Sequence, residues 1–206
     1  MKNFMKSALV ICMMFTVTNM HAQIKIGPTA GLNLSTMTLK SMGLSLDPKT
    51  IVGFNVGVIS EFNLKGNLFL QPALLFSAKG SKYSVLEEEM TITPSFIEIP
   101  VNAMYKFGSG STKFFLNAGP YFGLAIGGKT KSGGESADIK FGSGESNDMK
   151  RFDFGLNLGA GIEIKNFLIS AHYGLGLANL APVTTDDTEV KIRVIGISIS
   201  YLLGGK

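Results

Sequence analysis

Tryptophan is absent from these 206 residues, cysteine occurs once and histidine twice. One Cys excludes a disulfide framework and a cysteine-based zinc cluster. With so few imidazoles no transition-metal centre is expected either. Charge is also scarce, at 17% against 45% hydrophobic residues, where soluble domains carry roughly 25% charged. That balance excludes a disordered chain and a coiled coil. Long apolar runs are missing as well. Mean hydropathy is +0.27, yet past residue 22 nothing approaches the roughly 20 apolar residues of a membrane helix. A chain that is greasy on average but nowhere continuously greasy must alternate.

The first segment has a separate meaning. Met1–Lys6 supplies Lys2 and Lys6, Ser7–Thr18 is a short apolar core, and Asn19–Ala22 is a polar exit ending in Ala. This is the three-part layout of a secretory signal peptide, although Met20 is large for its place. Cleavage is expected after Ala22, giving a leader over 1–22 and one domain over 23–206. The leader contains two lysines, the Cys and one His, so its removal lowers the net charge from +4 to +2. So modest an excess, with no basic stripe, points away from nucleic acid.

From residue 24 onward the chain sorts with period two, the signature of strands whose side chains alternate between faces. In Arg151–Ile164 the residues Phe152, Phe154, Leu156, Leu158, Ala160, Ile162 and Ile164 oppose Asp153, Gly155, Asn157, Gly159, Gly161 and Glu163. Similar segments cover Ile24–Ser35, Ile51–Leu64, Leu68–Gly80, Ser95–Phe107, Lys113–Ile126, Phe167–Leu180 and Glu189–Leu203. In the last, Lys191 and Arg193 share parity with Ile195, Ile197 and Ile199. Either those charges lie above a bilayer or a bulge shifts the phase. Pro28, Pro72, Pro100 and Pro120 fall inside predicted strands, which places them at bulges or rims.

Connections alternate in length. Residues 65–67, 108–112 and 165–166 are short turns; 36–49, 81–94, 127–150 and 181–188 are long and polar. Membrane barrels have this asymmetry. Phe62, Tyr105, Phe107, Phe114, Phe167 and Tyr201 fall near the short turns, and Phe54, Phe76, Phe122, Phe152 and Phe154 near the long loops. Two such bands fit aromatic girdles at both membrane–water boundaries. An eight-stranded interior holds little more than small side chains, so the bulky apolar face points outward. The expected fold is all-β, an eight-stranded antiparallel up-and-down transmembrane barrel in the outer membrane. The expected lumen is plugged by a polar network of Lys25, Glu61, Lys79, Glu98, Lys106, Arg151, Asp153, Glu163 and His172. The inverse arrangement, a soluble carrier with its apolar face inside, fits the volumes less well.

The chain resembles the PorT-like, porin-family outer-membrane barrels of Gram-negative bacteria. The similarity is carried by Ile26-Gly27, Ala30–Ser35, Leu70–Phe76, Lys79-Gly80, Phe96-Ile97-Glu98-Ile99-Pro100-Val101, Gly119-Pro120-Tyr121 and the closing Ile197–Gly204. Ala73 stands where the family often has Glu, and the chain lacks the terminal aromatic of many insertion signals. The resemblance implies fold and outer-membrane location. Its members are diverse in task, and some are linked to protein secretion.

Sharper motifs weaken in context. Gly123–Thr130 matches the phosphate-loop pattern, but that loop needs a helix after it, and Lys131–Ser136 is a poor helix start. Ser170, His172 and Glu163 hold the residue types of a hydrolase, which leaves a membrane-embedded lipid-modifying enzyme as an alternative to the expected non-enzyme. Glu87-Glu88-Glu89 and Asp186-Asp187 lack calcium-loop spacing. No cofactor, metal or catalytic residue is expected. The expected role is structural or interactive, with outer-membrane lipids as surroundings and a protein partner at the long loops; a small-solute pore is the runner-up. N-terminal mass spectrometry of the exported protein is expected to begin at Gln23; an intact Met1 in the membrane fraction refutes the leader.

Overall fold

In the computed structural model, residues 24–41, 44–85, 88–144, 146–182 and 188–204 are described. The expected leader, with Cys12 and His21, lies outside them. Among the described residues there are twelve strands: β1 (Ile24–Ser41), β2 (Leu44–Leu46), β3 (Ile51–Lys65), β4 (Leu68–Ala78), β5 (Ser81–Val85), β6 (Glu88–Phe107), β7 (Thr112–Ser132), β8 (Glu135–Asp138), β9 (Phe152–Ile164), β10 (Phe167–Gly176), β11 (Glu189–Tyr201) and β12 (Leu203–Gly204). Eight of them, β1, β3, β4, β6, β7, β9, β10 and β11, pair in that order, and β11 pairs back to β1. Every pairing is antiparallel. The ring is the barrel expected from the alternation. The remaining short strands extend it, with β2 and β12 on β1, β5 on β6 and β8 on β7.

The register fixes the dimensions. Starting at Leu34 and stepping through paired residues Ile195, Tyr173, Leu158, Ala118, Ala103, Leu70 and Phe62, the path returns to β1 at Ile24. The return lies ten residues lower on the same strand. With ordinary strand spacing and rise, this offset tilts the strands about 40° from the axis. Ten residues at that tilt climb about 25 Å, the height of the apolar band of an outer-membrane barrel. Leu32, Val52, Phe122, Leu158 and Ile197 are 60–68% exposed on this belt. Its rims carry the aromatics, including the contacts Phe107–Phe114 at 6.0 Å, Phe167–Tyr201 at 4.8 Å and Phe54–Phe76 at 5.6 Å between centroids.

Two local expectations change, and one of the two readings left open for Lys191 and Arg193 holds. First, many described residues of 36–49, 81–94 and 127–150 are strand rather than loop: β1 continues to Ser41, β6 starts at Glu88, β7 reaches Ser132, and β5 and β8 form hairpins there. Of 181–188, residues 183–187 lie outside the described set, and β10 stops at Gly176 rather than Leu180. The segments read as polar loops because their alternation is inverted. On β1, Leu32 and Leu34 face out over buried Asn33 and Ser35; beyond them Met37 is buried and Lys40 is exposed. On β11, Ile195–Ile199 follow the same rule, and Val190, Ile192 and Val194 turn inward above them. Below the crossover the exterior solvent is lipid; above it, water.

Second, β11 has no bulge. Its register with β1 runs unbroken from Thr29–Ser200 to Lys40–Glu189, so Lys191 and Arg193 stand on the outer wall above the belt. Third, Pro72, Pro100 and Pro120 sit neither at rims nor at register shifts, whereas Pro28 lies by the short-turn rim, opposite Tyr201. Each pairs with one neighbouring strand only: Pro28 with Val58, Pro72 with Val101, Pro100 with Tyr121 and Pro120 with Leu156. On the other side a two-residue gap interrupts the ladder, and pairing resumes in the same phase. Proline has no N–H to donate, so the gap falls where its nitrogen faces.

Substitution of Leu158 by Lys, near the middle of the belt, is expected to destabilise the barrel by about 2–4 kcal/mol. Thr38→Lys, above the belt, should change it by under about 0.5 kcal/mol. Urea titrations of the chain refolding into lipid vesicles measure both; equal costs would reverse the two faces.

Candidate functional site: the filled lumen

Inward side chains form three layers. Nearest the short turns, Lys106 of β6 places its Nζ 2.6 Å from Glu61 Oε1 and 2.6 Å from Glu163 Oε2, while Lys25 Nζ lies 3.0 Å from Glu163 Oε1. Two ammonium and two carboxylate groups balance. Lys106 is 2% exposed and Glu61 1%, so neither charge reaches bulk water. The ring of Phe69 lies 4.4 Å from the Lys106 ammonium, and Ile59, Met104, Phe115, Leu168 and Leu202 pack around the cluster. A plug of this kind depends on every partner being present, because a buried charge left alone is far costlier than a buried pair.

The middle layer is made of amides and hydroxyls. Asn55 Nδ2 donates to Asn33 Oδ1 at 2.8 Å, Asn33 Nδ2 donates to Ser77 Oγ at 3.1 Å, and Ser198 Oγ donates to Asn55 Oδ1 at 3.3 Å. Beside this chain lies a cavity of about 100 Å³, bordered by Gln71, Asn102, Asn117, Asn157 and His172 among others. That is room for several hydrogen-bonded waters.

Toward the long loops, Lys79 pairs with Glu98. Its ammonium lies 4.8 Å from the centre of the Tyr121 ring, and the Tyr121 hydroxyl donates to Asp153 Oδ2 at 3.1 Å. Cross-strand glycines make room for the two inward aromatics of β7. A Cβ on Gly155 would come within 2.6 Å of the Tyr121 ring, and one on Gly161 within 2.4 Å of the Phe115 ring. In the register these are direct partners, Tyr121 with Gly155 and Phe115 with Gly161.

Above the charges sits an apolar cap. Met37, Tyr83, Phe96, Ile139, Met149, Leu180, Val190 and Ile192 are buried together there. The Tyr83 hydroxyl donates to the Met37 carbonyl, and burial pushes this phenol up to about 12. Ile139 and Met149 enter the mouth, with Ile139 N–H donating to Gly128 O at 3.0 Å and Gly142 N–H to Met149 O at 2.9 Å. Outside the cap, surface pairs such as Lys82 Nζ–Glu89 Oε2 at 2.6 Å hold the Glu89 carboxyl below its ordinary value.

Of the nine lumen residues expected from sequence, Lys25, Glu61, Lys106 and Glu163 share one cluster and Lys79, Glu98 and Asp153 the other. His172 faces inward beside Ser170 on the cavity wall. Arg151 departs from the expectation. It precedes β9, is exposed, and its Nη2 donates to Phe141 O at 3.4 Å, because the strand that would aim it inward begins one residue later. The hydrolase set does not assemble: Ser170 Oγ donates to Ser198 O at 3.5 Å, and both Glu163 oxygens are held by lysines. The cap was missed, although the inward apolar positions Met37, Leu39, Val190 and Ile192 alternate with Thr and Lys in plain sight.

An eight-stranded ring with an aromatic-edged apolar belt and a filled polar lumen is an outer-membrane barrel. The outer membrane protein beta-barrel domain family matches residues 18–181, and the chain belongs to that family. It is an outer-membrane protein. Among solved structures it is similar to Ail, the attachment invasion locus protein of Yersinia pestis, at 18% identity and TM-score 0.45, covering 88% of this chain and 99% of Ail. It is also similar to outer membrane protein W of E. coli, at 13% identity and TM-score 0.44, covering 89% and 100% of the two chains. The outer membrane enzyme PagL matches at 11% identity and TM-score 0.42, covering 82% and 98%. No curated protein is similar enough to this chain to match it.

Lys106→Met leaves Glu61 and Glu163 facing each other without their shared cation. It is expected to cost about 3–5 kcal/mol, read as a lower urea midpoint in vesicles; a loss under about 1 kcal/mol would show that the cluster is not dry.

Proposed function

We propose that the chain is a sealed outer-membrane barrel that acts structurally or through interactions made at its long-loop end, without conducting solutes and without catalysis. The observation that carries this reading is closure at both ends: the Lys106 cluster with its apolar packing at one, and the Met37–Tyr83–Phe96–Ile192 cap at the other. Between them the cavity is about 100 Å³, far short of a channel. The inward aim of His172 and Ser170, away from any lipid substrate, supports a non-enzymatic role. The finer kinship is PorT-like, with a cleaved leader, with the long-loop end facing outward, and with no cofactor.

A protein partner would meet the rim formed by the regions 36–49, 81–94, 127–150 and 181–188, where β5 and β8 extend the wall. In planar bilayers the purified chain is expected to show no steady conductance. A sustained conductance from the wild-type chain would replace this reading with that of a small-solute pore.

A further inference from the structure

We propose that the barrel wall opens locally at a proline seam, and that the lumen cavity takes up from the bilayer small uncharged molecules bearing a hydrogen-bonding group. The proposal rests on the reading of a lumen closed at both ends, which leaves the wall as the remaining route.

Apart from the gap at Gly27 and Pro28 between β1 and the β11–β12 run, the ladder gaps are not scattered. Between β3 and β4 the pairs Ser60–Pro72 and Glu61–Gln71 are missing; between β4 and β6, Ala73–Pro100 and Leu74–Ile99; between β6 and β7, Val101–Pro120 and Asn102–Gly119. Three successive seams are therefore interrupted within two residues of one cross-strand row, inside the belt. By contrast β7–β9, β9–β10, β10–β11 and β1–β3 are paired without interruption over nine to thirteen residues. A strand in hydrocarbon has no water to replace a missing partner, and only a long Ser60 Oγ–Pro72 O hydrogen bond of 3.5 Å spans the β3–β4 gap, so these gaps are where separation breaks few bonds.

Two further observations fall on the same place. The lipid face there is made partly of small or ring-shaped side chains, with Ala103, Ala118 and Pro120 exposed and Ser60 and Pro72 half-exposed. The cavity lies directly behind, lined by Gln71, Ala73, Pro100, Asn102 and Asn117. Its polar groups on this side are loosely paired: Asn117 Nδ2 is 3.5 Å from Gln71 Oε1, Gln71 Nε2 is 3.9 Å from Met104 Sδ, and Asn102 Oδ1 has no partner among the described residues. A molecule arriving through hydrocarbon must be uncharged. The amide lining then selects one that can donate or accept a hydrogen bond, and about 100 Å³ limits it to the size of a small alcohol or amide.

The test uses the chain extracted from outer membranes and held in phosphatidylcholine nanodiscs. Hydrogen–deuterium exchange is expected to be at least about tenfold faster at residues 71–74 and 99–102 than at 169–173 and 195–199. 1-Butanol, followed by saturation-transfer NMR, should bind saturably, and butylammonium and butyrate should not. Pro100→Ala with Pro120→Ala restores two N–H donors and should slow exchange across the seam. Ala73→Leu should abolish butanol binding while leaving fast exchange in place. Uniform exchange around the wild-type ring, or binding of the charged probes as well as the alcohol, overturns the proposal. Steady axial conductance would defeat the sealed-lumen reading alone, since the exchange contrast would survive it.

Discussion

A strand in hydrocarbon has only another strand to bond to, and a sheet in hydrocarbon has no tolerable edge. Closure of β11 onto β1 removes the edge, and the ten-residue offset at closure sets tilt, width and height together. The narrow interior is a consequence. It is filled by side chains, so polar groups turned away from lipid must satisfy one another. The ion pairs, the amide chain and the aromatic-over-glycine contacts are three answers to that one confinement. Where the exterior passes from lipid to water the same strands continue with their faces exchanged, and an ordinary apolar core forms inside the rim.

Much of this was legible in period-two alternation, because a lipid-facing row of Leu, Ile and Phe has no other use in a chain without long apolar runs. Arg151–Ile164 shows it best, with each even residue outward. Parity alone sets which face a side chain takes, and it turns Lys25, Glu61, Lys106 and Glu163 into one inward cluster and Lys79, Glu98 and Asp153 into another. Arg151 failed because parity holds only within a strand, and β9 starts at Phe152. The extension of β1, β6 and β7 failed for a different reason. A polar outer face was read as loop, when it marked only a change of solvent around a continuing strand.

The prolines show a limit of propensity reasoning. Residue type says that a donor is missing but not which neighbour misses it. Only the register reveals that each ring nitrogen faces a gap while its other side stays paired. Nor does a single sequence show that three gaps align across β3, β4, β6 and β7, because alignment depends on the stagger between strands far apart in the chain.

The apolar cap draws part of its wall from β1 and β11, the first and last strands, which meet only when the circle is completed. Met37 and Ile192, direct cross-strand partners, cannot touch before then. Burial of greasy side chains thus arrives as a reward for the longest-range pairing in the molecule, the one that loop-closure entropy makes hardest to form. The cap therefore works as a clasp that makes the final step of assembly cooperative, holding the ring shut from its aqueous side.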